Sequence, residues 1–140
     1  MKQLIMLSII GLLAGCATQG DPRLSGTFIS DKAATVAYLE SSGYYKPESL
    51  ELLRPMFGKL EITYNGLCIT ATMDGYTNTG KFRIVDSGPS YVTITDILGN
   101  EELCGASMAF TNRLEFTEDG YWLIEADSGK HPFKEKFIRK

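Results

Sequence analysis

The 140-residue chain has one histidine, His131, three cysteines, and no apolar run long enough to cross a bilayer as a helix. Each shortage closes a route to function. One histidine and no Cys-x-x-Cys spacing leave no zinc ligand set. No Gly-x-Ser-x-Gly elbow is present, and His131 stands before Pro132 in an expected turn with no nucleophile placed beside it, so it reads as a solvated loop residue. Carboxylates are plentiful, from Asp74 to Asp127, but they fall in turns or on alternate strand faces rather than as a defined pair. Glu118-Asp119-Gly120 lacks the other alternating oxygens of a calcium loop. Basic and acidic residues are mixed, without the cationic stripe that phosphate binding requires. These features exclude nucleic acid as a partner and point to no enzyme, no metal and no cofactor.

What is present starts with the first 16 residues. Lys2 precedes an apolar run of about 10 residues, Leu4 to Leu13, half the ~20 needed for a spanning helix. A charged start, a short apolar core and small residues make a secretory signal peptide over 1–15. The run ends in Leu13-Ala14-Gly15-Cys16. That stretch resembles the lipobox of bacterial lipoproteins. The resemblance implies cleavage before Cys16, acylation of its sulfur and its new amine, and anchorage in the cell envelope. Ala17 rather than an acid follows the cysteine, which by the same resemblance implies the outer membrane, facing the periplasm. An ordinary signal peptide with an incidental cysteine is the alternative. Removal of 1–15 takes away Lys2 and no acid, leaving 13 basic side chains against 17 acidic and a net charge of −4.

The other cysteines, Cys68 and Cys104, form an even pair in an exported chain, where disulfides persist. A bond between them would close a loop of about 36 residues and stabilise by roughly 3–4 kcal/mol. Two buried free thiols are the alternative.

Residues 16–23 read as the lipidated cysteine and a polar tether, and 24–140 as one domain. Ser25 to Ser30 suggests a first strand. Asp31 can cap a helix whose apolar residues, Val36, Ala37 and Leu39 among them, recur at helical spacing, with Gly43 placed to end it. Pro47 suits the start of a second helix, which Pro55 limits to about Arg54. From Leu60 onward the period is two. Leu60, Ile62 and Tyr64 alternate with Glu61 and Thr63, Asn65-Gly66 marks a two-residue hairpin turn, and Leu67, Ile69 and Ala71 follow. This register sets Tyr64 against Leu67 and places Cys68 on the opposite face. Met73 to Gly80 reads as a turn-rich connection. Strands are expected at Lys81–Val85, Tyr91–Ile97, Arg113–Thr117, Tyr121–Ala126 and Phe133–Ile138, with a short extended piece at Met108–Phe110. Asp119-Gly120 marks another hairpin turn.

The expected fold is mainly β: an antiparallel meander of about eight strands closing into a small barrel, with two short helices after the first strand. Ser25-Gly26-Thr27-Phe28 resembles the Gly-x-Trp opening of lipocalin-like barrels, with Phe28 in the Trp position. Phe57 to Tyr64 and Gly120-Tyr121-Trp122 are similar to small lipocalin-like proteobacterial proteins of unassigned function. The resemblance implies a barrel and no particular activity. Trp122 is expected in the core with Phe116, Ile62 and Ile69, or else lining a ligand cavity. Tyr44 and Tyr45, paired between the helices, are candidate partner or ligand contacts, or a cover for the barrel mouth. Two functions follow: a non-catalytic interaction or accessory module of the envelope, and a carrier of a small apolar ligand in the barrel. Bulky inward residues favour the first.

Overall fold

The computed structural model describes residues 20–98, 108–125 and 132–140. Its eight strands, β1 (Gly26–Ser30), β2 (Glu61–Asn65), β3 (Cys68–Met73), β4 (Tyr76–Gly88), β5 (Tyr91–Leu98), β6 (Met108–Phe116), β7 (Gly120–Glu125) and β8 (Lys134–Arg139), form one antiparallel meander. β1 pairs with both β2 and β8, so the sheet closes into a barrel. Closure leaves no unpaired edge among the described strands. The expected fold class is the one observed.

Alternation drives the closure. Phe28, Ile62, Tyr64, Ile69, Phe82, Val92, Ile94, Leu114, Tyr121 and Phe137 point inward and form one buried cluster with Leu24. The outer wall is rich in threonine, which suits a pleated, half-exposed surface. Thr27, Thr63, Thr70 and Thr79 stand in one row across β1 to β4, with Thr27 and Thr63 hydroxyls 2.9 Å apart. An extra residue, Val85, makes a bulge between Ile84 and Asp86 in the 13-residue β4. The bulge increases twist and bends this long strand around the barrel.

The two helices sit where the sequence places them. α1 (Lys32–Ser42) is capped by Asp31, whose side chain accepts from the Ala34 N–H at 3.1 Å. Gly43 ends it at φ 70°, a left-handed conformation that glycine adopts without strain. α2 (Pro47–Leu53) opens on Pro47 and passes into a 3₁₀ turn, Arg54–Met56. α1 also extends the sheet's bonding: beyond Ser30 the Lys136 N–H is taken by Thr35 Oγ1, at 3.0 Å. A second cluster, Val36, Leu39, Leu50 and Phe57, binds the helices to each other and to the barrel through Phe133.

Three local expectations are corrected. The β2–β3 turn is Gly66-Leu67, not Asn65-Gly66, so Tyr64 faces Ile69 and Asn65 faces Cys68. Gly66 takes φ 61° as the first turn residue while Leu67 keeps negative φ, the arrangement expected for a type II′ turn. A shift of two in register keeps every side chain on its expected face, and Cys68 stays on the outer one. Met73 to Gly80 is mostly strand: Asp74 and Gly75, at φ 50° and 84°, make a tight turn and β4 starts at Tyr76. The expected extended piece at Met108 and the strand at Arg113 are one strand, β6.

Trp122 is the fourth correction. Its neighbour Tyr121 is fully buried inside the barrel, so the pleat turns Trp122 outward, away from Phe116, Ile62 and Ile69. There its ring lies 5.5 Å from that of Tyr38 on α1.

Candidate functional site

The barrel has two ends of different make. At the end where β1 starts, residues 20–25 cross the floor as a strap. Leu24 plugs the interior at 1% exposure. Arg23 is held by both Asp21 carboxylate oxygens, donates to the carbonyls of Gly88 (2.8 Å) and Pro89 (3.0 Å), and lies 4.4 Å over the Phe116 ring. Arg139 donates to the carbonyls of Ser25 and Arg23 and lies 4.6 Å from the Phe28 ring. The Arg23 guanidinium holds the Asp21 carboxyl below its ordinary value. Residues 20–23, read in sequence as tether, thus belong to the folded body.

Above the strap the interior is filled by aromatic rings. Tyr121 stacks on Phe137 at 5.4 Å, Phe28 lies 4.9 Å from Tyr121, and Tyr64 meets Phe82 edge-on at 5.6 Å. The Tyr64 and Tyr121 hydroxyls bond each other at 3.1 Å. Burial pushes the Tyr121 phenol well up.

The interior differs toward the helices. Ser30 and Glu135 share the inward faces of Phe28 and Phe137, two residues along each strand. The Ser30 hydroxyl donates to Glu135 Oε1 at 2.5 Å and accepts from the Gly58 N–H at 2.9 Å. This ties β1, β8 and the entry to β2 at one polar point. Burial raises the Glu135 carboxyl, opposed by the Ser30 bond. Among the described residues Ala71, Asn112 and Leu123 also fall on inward positions at this end, in place of the aromatic rings below.

On the outer surface of the same end, Lys32, Ala33, Val36, Ala37, Glu40 and Arg54 line a groove of about 400 Å³. Its floor is α1's small apolar residues. Arg54 bridges Glu40 at 2.8 Å and Glu51 at 3.1 Å along one rim. Beside it Leu52 and Met56 stand 79% and 55% exposed. Tyr44, Met73 and Tyr76 add to the exposed apolar surface.

The sequence candidates divide accordingly. Tyr44 is exposed, whereas Tyr45 is half-buried against the helix cluster, its phenol raised by burial, then by Tyr38 and Glu125. The two do not form one patch. Trp122 touches α1 from the barrel wall and lies in neither the barrel interior nor the groove. Cys68 opens β3 half-buried and is not a free thiol. Cys16, Cys104 and His131 lie outside the described residues. Glu135, Ser30 and the groove residues escaped the sequence reading. Glu135 had one signal, an acid two residues before Phe137 on an inward face. Among the described residues no cluster of metal-ligating side chains occurs, and no helix is long and apolar enough to cross a membrane.

No family description, curated protein or solved structure matches this chain.

Proposed function

We propose that this is a lipid-anchored protein of the bacterial envelope that acts as a non-catalytic interaction or accessory module, contacting a protein partner through its helix-bearing end. The observation that carries the reading is the division of the barrel: one half is plugged by Leu24 and aromatic rings, while Tyr44, Leu52 and Met56, within and either side of α2, are exposed. Exposed apolar patches bordered by charge mark interaction surfaces. The lipobox supplies the address. Two acyl chains on Cys16 anchor stably where one would hold only marginally. The outer membrane, facing the periplasm, is the expected site.

Photo-crosslinking in intact cells tests this. A photoreactive residue at Ala37 is expected to capture a discrete protein species, and one at Glu118 is not. Equal capture at both sites, or none at Ala37, contradicts the reading.

One observation favours a second function, a binder of a small ligand in the helix-end interior. Ser30 and Glu135 place a hydroxyl and a carboxyl on the inward face there, next to small neighbours. Native mass spectrometry after gentle extraction is expected to show the bare mass under the first reading and an added mass under the second.

The Cys68–Cys104 disulfide belongs to the same proposal. Cys68 is engaged on the outer face of β3, and Cys16 is reserved for lipid. Peptide mapping without reduction is expected to yield the linked pair; an unpaired Cys104 contradicts it.

A further inference from the structure

The length of chain between the lipid attachment and the barrel bears on how the molecule stands. Cys16 lies four residues before Gly20. At most ~3.6 Å per residue, those four residues reach about 14 Å. Gly20 lies against the Gly66 backbone so closely that no Cβ would fit. From there the strap is bound across the floor by Arg23, which donates to the Gly88 and Pro89 carbonyls, and by Arg139. The anchor segment therefore starts from the floor of the barrel, beside the β2–β3 turn.

The opposite end lies out of reach. β7 alone has six residues, about 20 Å along the strand at ~3.3 Å each and roughly 15 Å along the axis at the usual barrel tilt, and the helices lie beyond. An inverted barrel, helices down, would need a longer tether than the sequence contains.

The two end surfaces also differ in chemistry. The floor carries short, mostly polar hairpin tips: Gly66-Leu67, Pro89-Ser90 and Glu118-Asp119. Of the exposed large apolar side chains among the described residues, Tyr44, Leu52, Met56, Met73 and Tyr76 lie at the helix end and Val85 on the side wall. A flat polar face suits the headgroup layer without insertion.

We infer that the floor of the barrel, formed by residues 20–25 and the β2–β3, β4–β5 and β6–β7 turns, rests on the phospholipid headgroups of the anchoring bilayer. The α1–α2 groove is thereby held away from that bilayer and offered to the aqueous phase. This rests on the proposed anchor, and it narrows the partner to one approaching from solution rather than one embedded in the same membrane.

The test uses the full chain, extracted with its own anchor and reconstituted into phosphatidylcholine vesicles carrying a headgroup-nitroxide quencher lipid. A fluorescent unnatural amino acid replaces Glu118 (floor), Arg83 (wall) or Ser49 (α2) in turn, leaving the cysteines untouched. All three are exposed, so folding is preserved, and circular dichroism of each variant verifies it. Expected is the largest loss of fluorescence at Glu118, a smaller loss at Arg83, and none beyond the quencher-free baseline at Ser49. Equal quenching at all three means a barrel lying on its side and overturns the inference while leaving the anchor intact. Stronger quenching at Ser49 overturns it too. Failure of the protein to float with vesicles removes the anchor, and the inference falls with it.

Discussion

The floor and the helix end of this barrel are built from the same eight strands yet do opposite things with them. At the floor the large apolar core side chains are turned inward, and Gly20 and Gly120 lie close against neighbouring backbone. Leu24, Phe28, Tyr64, Tyr121 and Phe137 bury almost all their area, and two arginines lace the strap to the turns. At the helix end described inward positions include Ser30, Ala71 and Leu123, the Glu135 carboxyl is half-buried, and Leu52 and Met56 are left in solvent. The difference shows where stability is made and where surface is left for other work. Burial of one large side chain contributes about 1.5–3 kcal/mol. An exposed leucine contributes almost nothing to the fold, so its placement has to be explained by other means.

The sharpest break in the comparison is Tyr121→Ala. It removes a fully buried ring and the partner of the Tyr64 hydroxyl. A loss of about 3–5 kcal/mol is expected in denaturant unfolding. A loss under about 1 kcal/mol, the scale of an ordinary surface change, would mean the floor is not the structural half.

Leu24→Ala tests the strap. The expected cost is about 2–4 kcal/mol, since a cavity opens beneath residues that must still cross the floor. The same variant is expected to release the Gly20 end to protease before the barrel unfolds. Unchanged cleavage would mean that the arginine contacts hold the strap alone.

Acid separates the two ends by sign. The Glu135 carboxyl is raised by burial, so its contribution to stability is complete below the ordinary carboxylate range and is lost as pH rises through the raised value. Asp21 and Asp119 are lowered, by Arg23 and Lys136 respectively. Their contributions are present above the ordinary range and are lost as pH falls. Glu135→Gln is therefore expected to raise Tm relative to wild type at neutral pH and to lose that advantage below the carboxylate range. The gain is limited by the partial exposure of the group. A constant offset across pH would remove the burial account.

At the small end of the scale, Leu52→Ser with Met56→Ser is expected to leave the unfolding free energy within about 0.5 kcal/mol per site. A large loss would place these side chains in the core of the helix layer.

Period and punctuation made most of the fold legible. The helical spacing from Asp31 to Gly43, the switch to period two at Leu60 and the turn residues imply about eight strands and two helices. The failures are local and share a cause. Gly66 and Gly120 were both assigned to the second position of a turn. Gly66 holds the first position at positive φ, and Gly120 is extended, needed because Phe137's carbonyl leaves no space for a Cβ. A glycine in sequence signals permissiveness without saying which constraint it relieves. Trp122 was placed inside because bulk suggests core. The face was decided by Tyr121, whose hydroxyl finds Tyr64 across the barrel, a contact 57 residues away that no local pattern encodes. The Ser30–Glu135 bond spans 105 residues and was invisible for the same reason. The groove depends on how α1 seats against β8, which spacing alone does not specify.

The most direct measurement is the yield of the in-cell crosslink from Ala37 in the Leu52→Ser, Met56→Ser background. The account predicts that this variant folds and floats with membranes as wild type does while the captured species disappears. An undiminished crosslink would show that the apolar surface beside the groove does not hold the partner, and the division of labour between the two ends would not stand.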